Sequence, residues 1–193
     1  MQRLAVVLVV GLLSLPLRAQ ETTKSEIFAG YQYLHFGGTT TNGVSLSGQG
    51  FDGWNGSLTY NFSKFVGAAG DFGGGYATVN GISTQIYTFT GGPVVSPGTE
   101  HRISPFAHGL FGLARAGASL SSQGVTTSVT QNGFAMMFGG GLDLKASKSI
   151  SVRLVQADWL YYHFGASSAG PATTQRNNVR ISIGVVYRFT PFS

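Results

Sequence analysis

The stretch that decides the fold is the last one, residues 177–189, NNVRISIGVVYRF. Val179, Ile181, Ile183, Val185, Tyr187 and Phe189 alternate with Arg180, Ser182, Gly184 and Arg188, and a period of two puts each set on its own face of an extended strand. In water the apolar stripe would need a packed partner sheet. Lipid solvates it directly and leaves the arginines to line a lumen.

Residues 52–62 repeat the pattern. Trp54, Gly56, Leu58, Tyr60 and Phe62 face one way, and Asn55, Ser57, Thr59 and Asn61 the other. The greasy face is interrupted by glycine and aromatic at its ends, which suits a membrane-interface girdle better than an aliphatic core. Further candidate strands are 27–36, with Ile27, Ala29, Tyr31 and Tyr33 opposite Gly30 and Gln32, and 65–76, with Val66, Ala68 and Phe72 opposite Asp71. Segment 85–95 sets Tyr87, Phe89 and Pro93 against Thr88 and Thr90, and 134–145 sets Phe134, Met136, Phe138, Leu142 and Leu144 against Asp143 and Lys145. In 106–116, Phe111 and Leu113 oppose His108, which points Phe106 and Leu110 inward. In 150–164 the parity slips, because Arg153 is out of phase with Gln156 and Asp158; a β-bulge or a different register would produce this.

The count is about eight strands, the smallest common outer-membrane size, so the expected fold is all-β, a transmembrane antiparallel up-and-down β-barrel. Polar connections at 37–50, 77–84, 117–133 and 165–176 read as long loops, and 62–65, 96–104 and 146–149 as short turns. Long loops outside and short turns in the periplasm put both termini in the periplasm.

Composition agrees. Of 193 residues only 10% are charged, 42% are hydrophobic, 12% aromatic and 29 are Gly, with a formal net charge of +5 and no Cys. Soluble domains average about 25% charged residues and about 7% Gly, so the charge is too low for an ordinary soluble enzyme and the hydrophobicity too high for disorder. The absence of Cys rules out disulfides and thiolate metal sites. Residues 1–20, MQRLAVVLVVGLLSLPLRAQ, read as a signal peptide: Arg3, an apolar run to Leu15, then Pro16 and the small Ala19. Its removal takes two positive charges with it, and no basic patch remains to suggest nucleic acid. The barrel domain then occupies 21–193, and the location expected is the bacterial outer membrane.

The segments GWNGSLTYNFSKFVGAAGDFGGGY (53–76), PFAHGLFGLARAG (105–117), FAMMFGGGLDLKAS (134–147), VRLVQADWLYYHF (152–164) and VRISIGVVYRF (179–189) resemble the OmpA-like family of small outer-membrane β-barrels, in its barrel-only form. The resemblance implies a fold and a location, with outer-membrane lipid and the barrel-assembly machinery as partners. Ser182, Gly184, Tyr187 and Phe189 are similar to the closing-strand signal which that machinery reads.

No catalytic, cofactor-binding or metal-ligating set emerges. None of His35, His101, His108 or His163 has Ser two residues on, no Gly-x-Ser-x-Gly elbow occurs, and no His-x-x-x-His pair is present. The residues singled out instead are a lumen charge network of Glu26, Asp71, Asp143, Lys145, Arg153, Asp158 and Arg180, joined in one arrangement by Arg115, and interfacial aromatics Trp54, Tyr60, Trp159, Tyr187 and Phe189, with Tyr161 and Tyr162 as further anchors. A structural role follows, stabilising the envelope and displaying polar loops of unassigned ligand. The alternatives are a small pore or passive transport channel, a surface adhesin and, last, a lipid-modifying enzyme.

Overall fold

The computed structural model describes residues 25–41, 44–46, 48–79, 81–97, 101–122, 125–165 and 173–189. The leader, the tail after Phe189 and most of the segment after His163 therefore lie outside the described residues. The strands are β1 (Ser25–Phe36), β2 (Thr39–Thr41), β3 (Val44–Leu46), β4 (Gln49–Asn61), β5 (Val66–Val79), β6 (Ile82–Val95), β7 (Ile103–Ser122), β8 (Val125–Lys145), β9 (Ile150–Phe164) and β10 (Thr173–Phe189). Eight of them close in the order β1-β10-β9-β8-β7-β6-β5-β4, and β2 and β3 form a separate small hairpin. Closure is antiparallel throughout and joins the first strand to the last, from Ser25↔Phe189 to Phe36↔Asn178. A closed sheet leaves no unpaired edge, which is what a backbone in hydrocarbon requires.

The two faces have exchanged their usual occupants. Along β10, Val179, Ile181, Ile183, Val185 and Tyr187 are 39–51% exposed, whereas Arg180 is 1% exposed and Ser182 fully buried. The parity slip in β9 is a bulge. Leu142 pairs with Val155 and Asp143 with Arg153, so Leu154 is the extra residue. Leu154 and Val155 both face outward, and Arg153 and Gln156, three apart, both face the lumen.

Two of the expected long loops are strands. The β5–β6 ladder continues to Val79↔Ile82, where Gly81 turns the chain in the left-handed region at φ 79°. The β7–β8 ladder continues to Ser122↔Val125, so 117–133 forms a tall hairpin. Its β-branched run, VTTSVT at 125–130, favours pairing over solvated loop. Two short turns at the other end are built alike. The Ser63 hydroxyl accepts from the Phe65 and Val66 amides at 3.3 and 3.1 Å, and Ser147 accepts from Ser149 and Ile150 at 3.3 and 3.1 Å. The barrel thus has a terminal end, with these turns and residues 25 and 189, and a loop end carrying the tall hairpin.

Glycines on the lumen wall make room for rings. Gly30 and Gly184 pair across β1 and β10, and a Cβ at either would meet the facing strand's carbonyl oxygen, Ile183 or Ala29, and lie 2.6 or 2.8 Å from the Phe28 ring. A Cβ at Gly141 would lie 2.9 Å from the Phe106 ring. Gly30→Ala should therefore act as overpacking, at a cost of about 1–3 kcal/mol. The measurement is the temperature at which the folded, fast-migrating gel band converts to the unfolded one, which should fall relative to an outward control such as Gly70→Ala, where a Cβ meets nothing nearer than 3.9 Å.

Candidate functional site

The inward side chains divide the lumen into layers. Nearest the terminal end, β8 and β9 bring Asp143 and Arg153 together: Arg153 donates through Nε and Nη2 to the two carboxylate oxygens at 2.8 and 3.2 Å. The Arg153 guanidinium is clamped between the Phe28 and Phe106 rings, 4.3 and 4.1 Å from their centroids, a desolvated cation–π sandwich. Arg188 reaches the same carboxylate at 3.3 Å, places Nε 3.3 Å from Glu26 and donates to the Ser151 hydroxyl. Asn61 donates to Glu26 at 3.2 Å.

At mid-height Arg180 is the centre. It is held by Asp71 of β5 through two parallel bonds of 2.8 and 3.1 Å and by Asp158 of β9, which accepts from Nε at 2.9 Å. The other oxygen of Asp158 faces His108 Nε2 at 2.8 Å. Gln156 stitches the two layers: its carbonyl accepts from Arg153 at 2.6 Å and its amide donates to Asp158 at 2.8 Å. The bulge in β9 is what allows this, since without it Arg153 and Gln156 would face opposite solvents. One cavity beside the network, lined in part by Glu26, His108, Asp143 and Arg153, has a volume of about 30 Å³.

Above Arg180 the lumen turns apolar. Leu34, Phe51, Ile86, Met137, Leu160 and Tyr162 form one buried cluster toward the loop end, and Phe36 stacks on the Tyr162 ring at 5.5 Å. Met137 marks the boundary, with its sulfur 3.0 Å from Arg180 Nη2. The lumen is a packed interior: ions at one end, hydrocarbon at the other.

Of the residues singled out from sequence, Glu26, Asp71, Asp143, Arg153, Asp158 and Arg180 meet in this network. Lys145 does not. It keeps the inward parity but is the last residue of β8, half-buried, and it makes no ion pair among the described residues. Arg188 pairs with Asp143 instead. Arg115 is no lumen residue either, because its neighbour Ala114 is the buried one and Arg115 faces out. Tyr162 is no interfacial anchor: the bulge inverts the parity of β9 beyond it, and Tyr162 is fully buried. Trp54, Tyr60, Trp159 and Tyr187 lie on the outer surface at 42–51% exposure, and Phe189 is half-buried. Ser182 and Gly184 face the lumen. His108 was missed, although its parity on β7 was legible. Among the described residues no hydroxyl is bonded to His108.

An exterior of exposed aliphatic and aromatic side chains around a closed antiparallel barrel with buried arginines defines a transmembrane β-barrel. The sequence matches the outer membrane protein beta-barrel domain over residues 5–189, and the chain belongs to that family and to the bacterial outer membrane. Among solved structures it is similar to Ail, the attachment invasion locus protein of Yersinia pestis, at 20% identity, TM-score 0.57, covering 88% of this chain and 100% of that one. OprG of Pseudomonas aeruginosa gives 14% identity and TM-score 0.56, with 88% and 97% covered. Neisserial surface protein A gives 13% and 0.52, also with 88% and 97% covered. At these identities the likeness is one of fold. A search of curated proteins found no match.

Removing Arg180 would leave Asp71 and Asp158 buried beside each other without their cation. Arg180→Met should therefore cost about 3–5 kcal/mol, read as a lowered urea midpoint in detergent micelles. Lys145→Met, at the end of β8, should leave that midpoint unchanged.

Proposed function

We propose that this protein is a non-conducting, envelope-stabilising barrel that presents polar hairpins at the cell surface. The observation that carries the reading is the filled lumen. Arg180 bridges β10 to β5 and β9 across its middle, and an apolar cluster fills the half toward the loop end, so a hydrated ion would meet both a fixed charge network and a dry constriction. Among the described residues no open path supports the small-pore alternative.

On this reading the terminal end faces the periplasm and the loop end faces outward, residues 1–20 are the export leader, and the barrel domain begins after them. Ser182, Gly184, Tyr187 and Phe189 serve the assembly machinery, and Trp54, Tyr60, Trp159, Tyr187 and Phe189 anchor the barrel at the two lipid interfaces. The role is non-enzymatic: the one His–carboxylate pair in the lumen among the described residues is buried, and its carboxylate is already held by Arg180 and Gln156.

A second reading, adhesion, is favoured by the β7–β8 hairpin. These strands run to 20 and 21 residues, about twice the 9–11 that cross a bilayer, and so carry a rigid polar ribbon clear of the membrane. The attachment role named for Ail belongs to that protein, and its likeness in fold makes the same role for this hairpin worth testing.

Liposomes containing the purified protein should swell in isosmotic arabinose no faster than protein-free liposomes. Arabinose entry that scales with protein content would overturn the sealed reading. Deleting residues 118–129 should leave swelling and heat-modifiability unchanged, and a loss of cell binding in that variant would select adhesion.

A further inference from the structure

Across β6, β7 and β8 the outward residues form three successive rows. Phe89, Leu113 and Phe134 are register partners, then Tyr87, Arg115 and Asn132, then Gln85, Gly117 and Thr130. Rows lie about 7 Å apart. The first is hydrocarbon, with Leu113 the most exposed large apolar residue of the barrel at 65%. The third is wholly polar or glycine, so the lipid boundary crosses the middle row, at Arg115.

Arg115 is exposed there and makes no ion pair or hydrogen bond among the described residues. The outward carboxylate at this height, Asp52, is three strands away and is engaged by the Tyr31 hydroxyl. Beside Arg115 lies an open groove of about 440 Å³, walled by Gln85, Tyr87, Phe89, Gly117 and Thr130. Gly117 lets the Gln85 side chain lie across β7, since a Cβ there would be 3.3 Å from Gln85 Cγ and Nε2.

The polarity of the groove is fixed by a chain of hydrogen bonds. The Trp54 indole N–H donates to the Tyr76 hydroxyl at 3.3 Å, the Tyr76 and Tyr87 hydroxyls are 3.2 Å apart, and Tyr87 donates to the Gln85 carbonyl at 3.4 Å. Because the indole can only donate and Tyr87 spends its proton on Gln85, Tyr76 must donate to Tyr87. Every bond runs toward the groove and ends on the Gln85 carbonyl, while the Gln85 amide N–H groups have no partner among the described residues. The groove therefore offers the Arg115 fork, the Gln85 amide and the Thr130 hydroxyl, a donor-rich set over an apolar floor at Phe89.

We propose that this groove binds the phosphate-bearing headgroup of a lipid in the leaflet at the loop end, with the phosphate on Arg115 and Gln85 and an acyl chain along Phe89. Arg is the side chain whose planar fork matches phosphate, and at a lipid boundary the acyl chain supplies the apolar contact that a free anion lacks. That the leaflet is the outer one rests on the orientation proposed above; the binding itself does not.

The test is native mass spectrometry of the full chain in micelles, with bisphosphorylated lipid A as the probe. Wild type should retain the probe, and Arg115→Gln should lower the retained fraction about tenfold, with heat-modifiability unchanged. Arg176→Gln, which removes an exposed cation of β10 outside the groove, should retain it as wild type does. A fully dephosphorylated lipid A should bind neither form well, and 10 mM inorganic phosphate should not displace the probe. Equal retention by wild type and Arg115→Gln, equal loss in both variants, equal retention of the dephosphorylated lipid, or full displacement by inorganic phosphate would each overturn the proposal. Surface labelling of a cysteine placed at Gly81 in intact cells tests orientation separately: no labelling would reject the outer-leaflet assignment and leave the binding result standing.

Discussion

Arg180 can be buried only because two carboxylates from two other strands reach it. A lone guanidinium in a low-dielectric interior is too costly to keep, so Asp71 on β5 and Asp158 on β9 must both arrive when β10 does. That requirement ties together strands far apart in sequence. Asp71 is contributed early in the chain and Arg180 late, and their bidentate contact exists only when β1 has closed on β10. The same dependence fixes register, because sliding β10 by one residue would turn Arg180 into the lipid and Ile181 into the lumen.

The outer face offers no comparable selection. Lipid tails are as apolar as the residues they touch, so exposing Val179 or Ile183 to them neither drives closure nor chooses a partner strand. Closure is favoured by the backbone ladder, and specificity comes from inside: the two carboxylate–arginine layers, the Gln156 link between them, and the apolar packing above. The Arg153 clamp shows how closely these depend on one another. Its rings fit only because Gly30, Gly184 and Gly141 leave the wall bare, and Gln156 reaches it only because β9 carries a bulge.

Much of this was legible in residue parity. The alternation in 177–189 and 52–62 gave the inside and outside of β10 and β4 correctly, and the phase conflict among Arg153, Gln156 and Asp158 located the bulge. What parity could not give was vertical position. Lys145 and Arg188 both carry the inward phase near the same end of the barrel, yet among the described residues only Arg188 finds carboxylates. The polar run 117–133 reads as loop because a polar sequence looks the same whether its backbone is solvated or paired; above the lipid boundary a paired ribbon is polar on both faces. The apolar upper lumen was signalled by Leu110 pointing inward on the same face as His108, but its extent needed Leu34, Ile86 and Leu160 to be brought to one height. The use of strand glycines as seats for Phe28 and Phe106 is visible only across strands.

The two-layered lumen also bears on how the outer surface works. A water-filled barrel of this size would deform as its loops engaged a ligand, because little would resist ovalisation. Here Arg180 spans the interior and the apolar cluster fills the half beneath the hairpins, so the loop end rests on a solid base. The tall β7–β8 ribbon inherits that stiffness through an unbroken ladder, from Ile103↔Leu144 at the base to Ser122↔Val125 at the tip. A surface element held this rigidly loses little conformational freedom when something binds to it. Stiffness of this kind would serve recognition at the exterior without any interior residue touching a ligand, which gives the barrel a reason to keep so costly a set of charges inside.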